Sequence, residues 1–575
     1  MSRNALQEYE RWAASAALTG EEKASLEAIR GDEEAILSRF AAPMQFGTAG
    51  LRSTMDLGIS RMNRYTVAQT TKGLSALILA SGGKARGVAI SYDSRHRSEE
   101  FARTAARVLA YDGVQVYLFD SIRPTPELSF AILHLGCTSG INITASHNPK
   151  EYNGYKVYWE DGAQLPPEHA DRVSAAVATI DPLSVPLADF DEAVRAGTIR
   201  YLGAETDNAF LTAVQGSALS PALTKAWGNK LHLVYTPLHG TGYKLVPECL
   251  RRAGVTDLRV VEEQAIPDGS FPTVASPNPE NDACFERAVE LIRRENLPCS
   301  LIIASDPDAD RIGVAVRGED GVFRALHGNR IGALLIDYIL RIRKETGNLP
   351  ADGCAIRSIV SSPLFDAICD AHGVSHVSVL TGFKYIGEKI KQWETTGGHT
   401  FLFGYEESHG YLPGSYARDK DAIGASLLLT EMACYHISHG RSIADALREL
   451  DETYGYYRES GFSCAITGLD PMAIMGQRMA SLRKDGLSEI AGVPVLRVRD
   501  YLSGVVRSVT GETSSTEQPS SDVLYFELES GDAIAVRPSG TEPKIKVYLL
   551  VKGETEQEAA EKLTRYEAFM RELMN

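Results

Sequence analysis

Short apolar runs alternate with helical patterns of apolar positions through most of this chain. Residues 87–92 and 114–119 form apolar runs of the length of buried strands, and a helical pattern between them begins at Ser98. A second helix start at Thr125 precedes another apolar run, which leads into Thr144. The pattern predicts alternating strands and helices, as in α/β proteins.

Two further stretches repeat this alternation. One begins with a strand predicted at residues 231–235 and ends with a strand at 300–304, and the other extends from residues 354–356 to a strand at 400–403. Each stretch places a polar segment directly after a strand. Because ligands of open α/β sheets bind beyond the carboxyl ends of strands, we expect the three stretches to surround one cleft.

The pattern changes in the last part of the chain. Closely spaced strands are predicted at residues 522–526, 533–536 and 545–549, and an amphipathic helix from about Glu554. The stretch 510–521, rich in Ser, Thr and Glu, is predicted to be an exposed loop. These features are typical of an α+β domain.

The predicted fold class is therefore α/β with four domains around a central cleft. Three similar mixed α/β sandwich domains precede a C-terminal α+β domain, and a chain of 575 residues is too long for one hydrophobic core. The predicted domains comprise residues 1–205, 206–325, 326–455 and 456–575.

The balance of charge restricts the class of partner. The chain carries 59 Lys and Arg residues against 75 Asp and Glu residues, a formal net charge of -16. This excess of negative charge argues against nonspecific binding to nucleic acid or to an anionic membrane. An anionic substrate must therefore meet local clusters of positive charge.

Cysteine usage and the absence of long apolar runs favour a cytoplasmic location. The eight cysteines contain no Cys-x-x-Cys pair, so neither a zinc site nor a disulfide framework is indicated. The N-terminus continues into a charged helical pattern, and no apolar run approaches the roughly 18 residues that a membrane span requires. We expect reduced thiols in the cytoplasm.

A small hydroxyl lies in a sharp turn after the last strand of the first stretch. In the segment Thr144–Pro149, Asn148 and Pro149 favour a turn that we expect to expose Ser146. His147 can orient the hydroxyl or accept its proton. We predict that Ser146 is a nucleophile, and an ordinary turn serine that caps a helix is the alternative.

Three aspartates occupy alternate positions after the last strand of the second stretch. Loop curvature can turn the carboxylates of Asp306, Asp308 and Asp310 toward one hard cation such as Mg²⁺. Adjacent carboxylates repel one another unless a cation offsets their charge, and a solvated acidic turn is the alternative. Arg311, beside the carboxylates, suggests that an anion also binds.

Two later segments carry groups that suit a phosphorylated sugar. In the first, Gly404–Ser408, the groups at a strand end are of the kind that hold sugar hydroxyls, with a polar loop as the alternative. The second segment begins at Arg537 and offers a guanidinium, hydroxyls and a glycine that lets backbone amides approach a phosphate. Its candidate phosphate ligands are Arg537, Ser539, Gly540 and Thr541.

Three further candidates are cationic. Residues 46–52 are rich in glycine and end at Arg52, but they lack the Gly-Lys-Thr of a P-loop, so a nucleoside triphosphate is not indicated. A flexible loop is the alternative. Lys156 and Lys384 follow short segments that contain glycine and are candidates of the same kind.

Together these segments resemble the α-D-phosphohexomutase superfamily, the phosphoglucomutases and phosphomannomutases. Four diagnostic segments occur in the order of the family and span nearly the whole chain. They are Thr144–Pro149, Asp306–Arg311, Gly404–Ser408 and Arg537–Pro543. The resemblance implies a four-domain, heart-shaped molecule with its active site in the central cleft.

The resemblance also implies roles for the candidate residues. The phosphoryl group would be carried by Ser146 and would contact Mg²⁺ bound by the three aspartates, so Ser146 also counts as a metal ligand. Proton handling or charge stabilisation would fall to His147 and Lys156. Arg52 and Arg311 would line the site, Arg52 as a further catalytic residue and Arg311 as a substrate ligand. The other substrate-binding candidates are Lys384, which is not assigned to either end of the substrate, Glu406 and Ser408 at the sugar, and Arg537, Ser539, Gly540 and Thr541 at the distal phosphate.

Two departures from the family pattern bear on these roles. Pro307 and Ala309 stand where many relatives have glycines, which should stiffen the metal loop without removing a ligand. The sugar loop reads Glu406-Glu407-Ser408, similar to glucose-selective members and unlike the Glu-Met-Ser-Gly-His form of dual-specificity enzymes. Longer relatives with such loops include phosphopentomutases.

The resemblance implies the reversible interconversion of glucose 1-phosphate and glucose 6-phosphate. Mg²⁺ would be the cofactor, and glucose 1,6-bisphosphate the intermediate and activator. A monomer or homodimer acting on a small phosphosugar is expected, with neither nucleic acid nor membrane as partner. The alternatives are a phosphopentomutase or phosphomannomutase, a haloacid-dehalogenase-type phosphatase with Asp306 as nucleophile, and a noncatalytic phosphosugar-binding protein.

Overall fold

The computed structural model describes residues 3–47, 50–318, 320–467, 470–539 and 544–574. Two compact units are formed. The first comprises Met1–Leu326, Gly387–Thr396 and His409–Gly440, and the second comprises His327–Ile386, Gly397–Ser408 and Arg441–Asn575. Within the described ranges, no helix is both long and apolar enough to cross a membrane.

The first sheet of the first unit is mixed. Its strands lie in the order β1-β5-β4-β2-β3-β6, with β4, β2, β3 and β6 parallel and β5 antiparallel to both of its neighbours. The elements of this part are α1 (Arg3–Ala14), α2 (Gly20–Glu27), α3 (Glu33–Phe40), β1 (Leu51–Thr54), α4 (Arg64–Ala80), β2 (Val88–Tyr92), α5 (Ser98–Tyr111), β3 (Val116–Phe119), α6 (Thr125–Leu135), β4 (Ser139–Ile143), β5 (Tyr152–Trp159), α7 (Pro167–Val177), α8 (Phe190–Arg195) and β6 (Ile199–Leu202). Every residue of β2 and β4 is buried, as expected for central parallel strands.

A second mixed sheet follows in the first unit, in the order β11-β10-β9-β7-β8. The strands β9, β7 and β8 are parallel, with β8 at one edge of the sheet, and β10 returns antiparallel beside β9. The elements are α9 (Ala204–Gly216), α10 (Pro221–Trp227), β7 (His232–Thr236), α11 (Gly242–Ala253), β8 (Asp257–Val260), α12 (Glu262–Ala265), α13 (Glu286–Glu295), β9 (Leu301–Ser305), β10 (Ile312–Arg317) and β11 (Phe323–Ala325).

The third stretch contributes to both units. In the second unit, β12 pairs in parallel with β13 on one side and β14 on the other. The elements are α14 (Gly328–Glu345), β12 (Gly353–Ser358), α15 (Leu364–His372), β13 (Ser375–Val379), α16 (Lys384–Thr396), β14 (Thr400–Glu406), β15 (Gly410–Leu412), α17 (Ala422–Ser438) and α18 (Ile443–Tyr454). The first unit includes β15, α17 and most of α16.

The C-terminal part of the second unit forms an antiparallel sheet with helices. Its strands lie in the order β16-β23-β22-β21-β18-β19-β20, with β17 beside β18. The elements are β16 (Tyr456–Ala465), α19 (Pro471–Asp485), β17 (Glu489–Ile490), β18 (Val493–Asp500), β19 (Val505–Ser508), β20 (Thr513–Ser515), β21 (Leu524–Leu528), β22 (Ala533–Pro538), β23 (Lys544–Gly553) and α20 (Glu556–Met574). Apolar residues of α19 and α20 pack on this sheet in one core, among them Met475 and Tyr566.

The predicted fold class is confirmed, because three α/β domains are followed by a further C-terminal domain that contains a sheet. The predicted strands of the three stretches agree with the observed strands to within three residues at each end. The prediction of a loop at 510–521 is wrong in part, because β20 lies within it and pairs with β19. Its three residues are nevertheless exposed, which explains why no apolar pattern marks them.

Candidate active site

Ser146 lies in a tight turn three residues beyond the end of β4. Its backbone has a φ of 53°, a left-handed conformation that is uncommon for residues other than glycine. The Ser146 N–H donates to Thr144 Oγ1 at 2.8 Å, which helps to hold the turn. The predicted sharp turn is therefore present. The expectation that it exposes the serine is wrong, because Ser146 is only 3% exposed.

The metal loop follows β9 and gathers three buried carboxylates. One carboxylate oxygen each of Asp306, Asp308 and Asp310 lies within 4.8 Å of the other two. The loop closes because Asp306 Oδ1 accepts the backbone N–H groups of Asp310 and Arg311 at 3.1 and 3.0 Å. Ala309 has a φ of 49°, a left-handed backbone conformation that glycine would adopt more easily than alanine.

The serine turn and the metal loop meet, although 160 residues separate them in sequence. Ser146 Oγ donates a hydrogen bond to Asp306 Oδ2 at 2.9 Å. Thr125, the first residue of α6, connects the first sheet's helices to the same loop, because its Oγ1 donates to Asp308 Oδ2 at 2.9 Å. The nucleophile and the carboxylates predicted from the sequence thus form one cluster.

Lys156, on β5, offsets part of the negative charge of this cluster. Its Nζ lies 2.7 Å from Asp308 Oδ2 and 3.5 Å from Asp310 Oδ2. Burial disfavours the charged ammonium, but the attraction of both carboxylates outweighs it and raises the pKa of Lys156. Lys156 is therefore a fixed positive charge at neutral pH, which suits charge stabilisation better than proton transfer.

The carboxylates are suited to a divalent cation. Among the described residues, Asp308 Oδ1 and Asp310 Oδ1 are buried and have no hydrogen-bond partner, so two hard oxygen atoms are available as ligands. Burial and the neighbouring charges of Asp308 and Asp310 raise the pKa of Asp306 well above its ordinary value. A bound cation would favour the ionised form of Asp306 by offsetting this repulsion.

The pKa of Asp308 moves in the opposite direction from that of Asp306. Burial alone would raise it, but the adjacent Lys156 ammonium outweighs burial and holds the pKa of Asp308 below its usual range. At neutral pH the loop therefore presents at least one ionised carboxylate to a cation even before the cation binds.

His147 is neutral at pH 7. Burial, with the nearby charges of Arg311 and Arg52, lowers its pKa well below the ordinary value. Its Nδ1 lies 3.2 Å from Ser146 Oγ, within reach for exchange of a proton.

The two arginines predicted at this site have partners on different loops. Arg52 Nη1 donates to Asn148 Oδ1 in the serine turn at 2.8 Å, and the Arg52 side chain is exposed. Arg311 Nη1 donates to Glu280 Oε1 at 2.6 Å. Since these contacts do not use every N–H group of the two guanidinium groups, both can also donate to an anion.

The predicted sugar loop lies in the second unit. The strand β14 extends through Glu406, so the prediction that the loop begins directly after residue 403 is wrong. Glu406 is buried and accepts the Gly382 N–H at 2.6 Å. Ser408 is half-buried. Lys384 is the first residue of α16, and its Nζ lies 4.8 Å from the centre of the Tyr385 ring.

The predicted phosphate loop lies between β22 and β23, also in the second unit. Arg537 is the penultimate residue of β22 and is half-buried opposite Lys546. The Ser539 N–H donates to the Lys544 carbonyl at 2.8 Å and begins the connection between the strands. The predicted ligands Gly540 and Thr541 lie outside the described residues.

Sequence reasoning missed an aspartate and an arginine that hold the serine turn. Arg95 donates to the carbonyls of Ser146 and Asn148 at 2.6 and 2.5 Å, and Asp93 accepts the Thr144 hydroxyl at 2.6 Å. Both residues directly follow β2. Their signal was the same as that of the other loops, namely polar residues at the carboxyl end of a buried parallel strand.

A second lysine near the metal loop was also missed. Lys420 Nζ lies 3.2 Å from Asp310 Oδ2 and 2.9 Å from Asp419 Oδ1. Asp419 also accepts the Tyr158 hydroxyl at 2.7 Å. The sequence offered only a run of alternating charges here, which is usually a solvated surface.

Comparison with protein families gives three consecutive matches. The sequence matches "Phosphoglucomutase/phosphomannomutase, alpha/beta/alpha domain I" over residues 43–184, domain II of the same family over 208–320 and domain III over 327–454. The serine turn, the metal loop and the sugar loop fall within these three matches.

Comparison with characterised proteins and solved structures agrees. A phosphoglucomutase of Staphylococcus aureus is 36% identical over 526 residues, which cover 91% of this chain and 92% of that protein. The Paramecium pp63/parafusin structure is 18% identical with a TM-score of 0.69, covering 93% of this chain and 95% of that one. A family protein of Burkholderia thailandensis is 16% identical with a TM-score of 0.62, covering 92% and 96%. At such identities the two structures support the fold alone.

Proposed function

The chain belongs to the phosphoglucomutase/phosphomannomutase family within the α-D-phosphohexomutase superfamily, and from this premise we propose that it interconverts glucose 1-phosphate and glucose 6-phosphate. It is an intramolecular phosphotransferase. The observation that carries the proposal is the hydrogen bond of 2.9 Å from Ser146 Oγ to Asp306 Oδ2, because it places a nucleophile at a cluster of carboxylates suited to a cation.

The proposed reaction has two transfers. In the first, the 6-hydroxyl oxygen of glucose 1-phosphate forms a bond to phosphorus as the bond between phosphorus and Ser146 Oγ breaks. The proton of the 6-hydroxyl passes to Ser146 Oγ, and the product is glucose 1,6-bisphosphate. The sugar then turns end over end. In the second transfer Ser146 Oγ forms a bond to the 1-phosphoryl phosphorus as the bond between phosphorus and the 1-oxygen breaks. The seryl proton passes to the 1-oxygen, and glucose 6-phosphate leaves. The enzyme ends the cycle with Ser146 phosphorylated again, so no phosphate is consumed.

The side chains around Ser146 suit these transfers. A positive charge is held at the carboxylates by Lys156, and the guanidinium groups of Arg52 and Arg311 can donate to phosphoryl oxygens, where negative charge accumulates during transfer. His147 Nδ1 can exchange a proton with Ser146 Oγ when that oxygen leaves phosphorus. Mg²⁺ bound by the three aspartates would neutralise charge on the phosphoryl group.

The residues of the second unit have proposed roles in substrate binding. Lys384, Glu406 and Ser408 would contact the sugar, and Glu406 suits this role because the Gly382 N–H fixes its carboxylate. Arg537, Ser539, Gly540 and Thr541 would bind the distal phosphate, and this group must recognise charge at either end of the sugar. The monomeric or homodimeric state and the cytoplasmic location remain predictions from the sequence.

The phosphatase alternative is disfavoured by the contacts of Asp306. Its Oδ1 accepts two backbone N–H groups and its Oδ2 accepts the Ser146 hydroxyl. Neither oxygen is directed to an attack on phosphorus, as an aspartyl nucleophile would need to be. A noncatalytic binding protein is disfavoured because the serine and all three aspartates are retained.

A substrate panel tests the proposed specificity. The phosphates of glucose, mannose, ribose and deoxyribose are each assayed with a trace of the corresponding bisphosphate. Glucose 1-phosphate is expected to give the highest kcat/KM, because the Glu406-Glu407-Ser408 loop is similar to those of glucose-selective relatives. A higher kcat/KM for a pentose phosphate would instead assign a phosphopentomutase, and steady release of inorganic phosphate would favour a phosphatase.

The Ser146→Ala variant tests the proposed nucleophile. Removal of a nucleophile typically lowers kcat by several powers of ten, so turnover is expected to fall to near background while the fold is retained. Ser38→Ala, in α3, is the matched control and should retain full activity. Substantial mutase activity in Ser146→Ala would reject the assignment.

A further inference from the structure

A strained turn of the second sheet packs against the metal loop. Leu238 and His239, which follow β7, have φ values of 46° and 62°, so two consecutive residues other than glycine are left-handed. The next residues touch the metal loop, since the Thr241 N–H donates to the Pro307 carbonyl at 2.8 Å. A Cβ on Gly240 would lie 2.4 Å from Pro307 Cα. The backbone of this turn therefore fixes the start of the metal loop.

The side chain of His239 ties this turn to the segment that follows α12. Its Nδ1 lies 2.9 Å from the Ile266 carbonyl, which can only accept, so Nδ1 carries the proton. Its Nε2 lies 2.9 Å from Thr273 Oγ1. Thr273 Oγ1 also accepts a hydrogen bond from Gln264 Nε2 at 2.8 Å, so the threonine hydroxyl joins His239 to the residues of α12.

The segment held by His239, residues 266–273, lies on the loop that follows β2. The guanidinium carbon of Arg95 lies 5.0 Å from the ring centre of Phe271, a cation–π geometry. Phe271 is buried and left-handed, with a φ of 46°. Neighbouring contacts fix this arrangement, because Ser270 Oγ lies 2.9 Å from His96 Nε2.

Arg95 also stabilises the serine turn through hydrogen bonds to backbone carbonyls. Besides the Ser146 and Asn148 carbonyls, its guanidinium donates to the carbonyls of Pro149 and Tyr152 at 2.8 and 3.1 Å. A lysine could not reproduce this planar set of donors. The conformation of the turn around Ser146 therefore depends on where the Arg95 side chain lies.

We propose that His239, Phe271 and Arg95 are positioning residues that set the distance between Ser146 and the metal loop. They form a continuous path from the Pro307 backbone to the Ser146 carbonyl, and this path does not pass through the reacting groups. The inference rests on the proposed function and extends it to residues outside the set proposed to bind the substrate and the cation. Their effect is on the rate of phosphoryl transfer rather than on affinity for the sugar phosphate, because transfer depends on alignment of the seryl oxygen.

Phe271→Leu in the full-length protein tests the proposal, since leucine keeps an apolar side chain and removes the aromatic face. The readouts are kcat, KM for glucose 1-phosphate, and the single-turnover rate at which glucose 1,6-bisphosphate phosphorylates Ser146. From the typical strength of a cation–π contact we expect kcat and the transfer rate to fall about 2- to 30-fold, with KM changed less than about twofold. Phe271→Tyr, which keeps the ring, should restore both rates.

A second arginine–phenylalanine contact, within the second sheet, provides the matched control. The guanidinium carbon of Arg317 lies 5.1 Å from the ring centre of Phe323, on β10 and β11. Phe323→Leu should lower thermal stability to a similar extent and leave kcat unchanged. Arg95→Lys should lower the transfer rate more than Phe271→Leu does, because all four carbonyl contacts are affected.

The outcomes separate this inference from the proposed function. A wild-type protein without mutase turnover would overturn the proposed function, and the inference with it. An active wild type whose Phe271→Leu variant keeps its transfer rate, or loses no more than Phe323→Leu does, would overturn the inference alone. A rise in KM at constant kcat would also contradict it, because it would place Phe271 in substrate binding.

Discussion

Lys156 places one positive charge among three buried carboxylates. It is itself buried, and its Nζ is 2.7 Å from Asp308 Oδ2. When one partner of a buried ion pair is removed, the other charge remains uncompensated in a poorly solvated position. The role of Lys156 is therefore open to a stability measurement as well as to kinetics.

When no divalent cation is present, Lys156→Met is expected to lower the free energy of unfolding of the first compact unit by about 3–5 kcal/mol. Added MgCl₂ should recover part of this loss, because a cation at the same carboxylates would offset their charge. Denaturant unfolding with and without MgCl₂ is the measurement. Lys225→Met, at an exposed position of α10, is the control, and equal behaviour of the two variants would contradict the role given to Lys156.

At the scale of residues, the sequence predicted groups whose chemistry is local. Ser146 lies beside a turn-forming pair, and the three aspartates are concentrated in five positions, so both could be recognised without a fold. Arg95 could not, because its role consists of contacts with carbonyls more than 50 residues away. Nor could Lys420, whose partner Asp310 is 110 residues earlier in the chain.

The helix α17 is an element with a titratable cap. Asp421 accepts the Ile423 N–H at 2.7 Å and the Tyr416 hydroxyl at 2.5 Å, and it is fully buried. Burial raises the pKa of Asp421 to about 6, although these hydrogen bonds oppose the shift. In the unfolded chain the same carboxyl has an ordinary pKa near 3.8.

This difference predicts how the stability depends on pH. The raised pKa of Asp421 stabilises the fold fully below about pH 4, and this contribution is lost as the pH rises to about 6, in total about 3 kcal/mol. Asp421→Asn removes the titration, so relative to wild type the variant should gain stability between about pH 4.5 and about pH 7.5. Denaturant midpoints of both proteins at the two pH values measure it. A constant difference between them would contradict the raised pKa.

The hairpin of β22 and β23 carries the predicted phosphate site. Arg537→Ala is expected to raise KM for the sugar phosphate about 10- to 100-fold, the range for losing a charge-assisted pair of hydrogen bonds, with little change in thermal stability. Arg507→Ala, at an exposed position of β19, is the control from the same sheet. Steady-state kinetics are the measurement, and an unchanged KM and kcat in Arg537→Ala would show that the phosphate binds elsewhere.

At the scale of elements, burial within parallel strands aided prediction, whereas the buried antiparallel strands β5 and β10 were not predicted. The parallel strands β2, β4 and β9 are buried at every position and appear in the sequence as continuous apolar runs. The strands β18 and β20 were not predicted, because most of their residues are exposed or half-buried and leave no regular apolar pattern. The left-handed conformation of Ser146 could not be predicted from the sequence either, since hydrogen bonds from Arg95, which is distant in sequence, stabilise the turn.

At the scale of the whole molecule, the sequence predicted the number of domains better than it could predict compact units. The four predicted domains are contiguous, whereas the first compact unit takes Gly387–Thr396 and His409–Gly440 from the third of them. A prediction based on successive residues cannot assign segments that are separated in sequence to one compact unit, because their grouping depends on long-range packing. The boundaries between the four domains and the central cleft remain predictions.

The most direct test of the account is to follow one phosphoryl group onto the protein. Dephosphorylated enzyme is mixed with glucose 1,6-bisphosphate carrying isotopically labelled phosphate, and the peptide that contains Ser146 is analysed by mass spectrometry while sugar monophosphates are quantified. The account predicts stoichiometric label on Ser146, formation of glucose monophosphate at the same rate, and transfer of the label back to sugar on addition of unlabelled glucose 1-phosphate. Mutase turnover without label on Ser146 would contradict it.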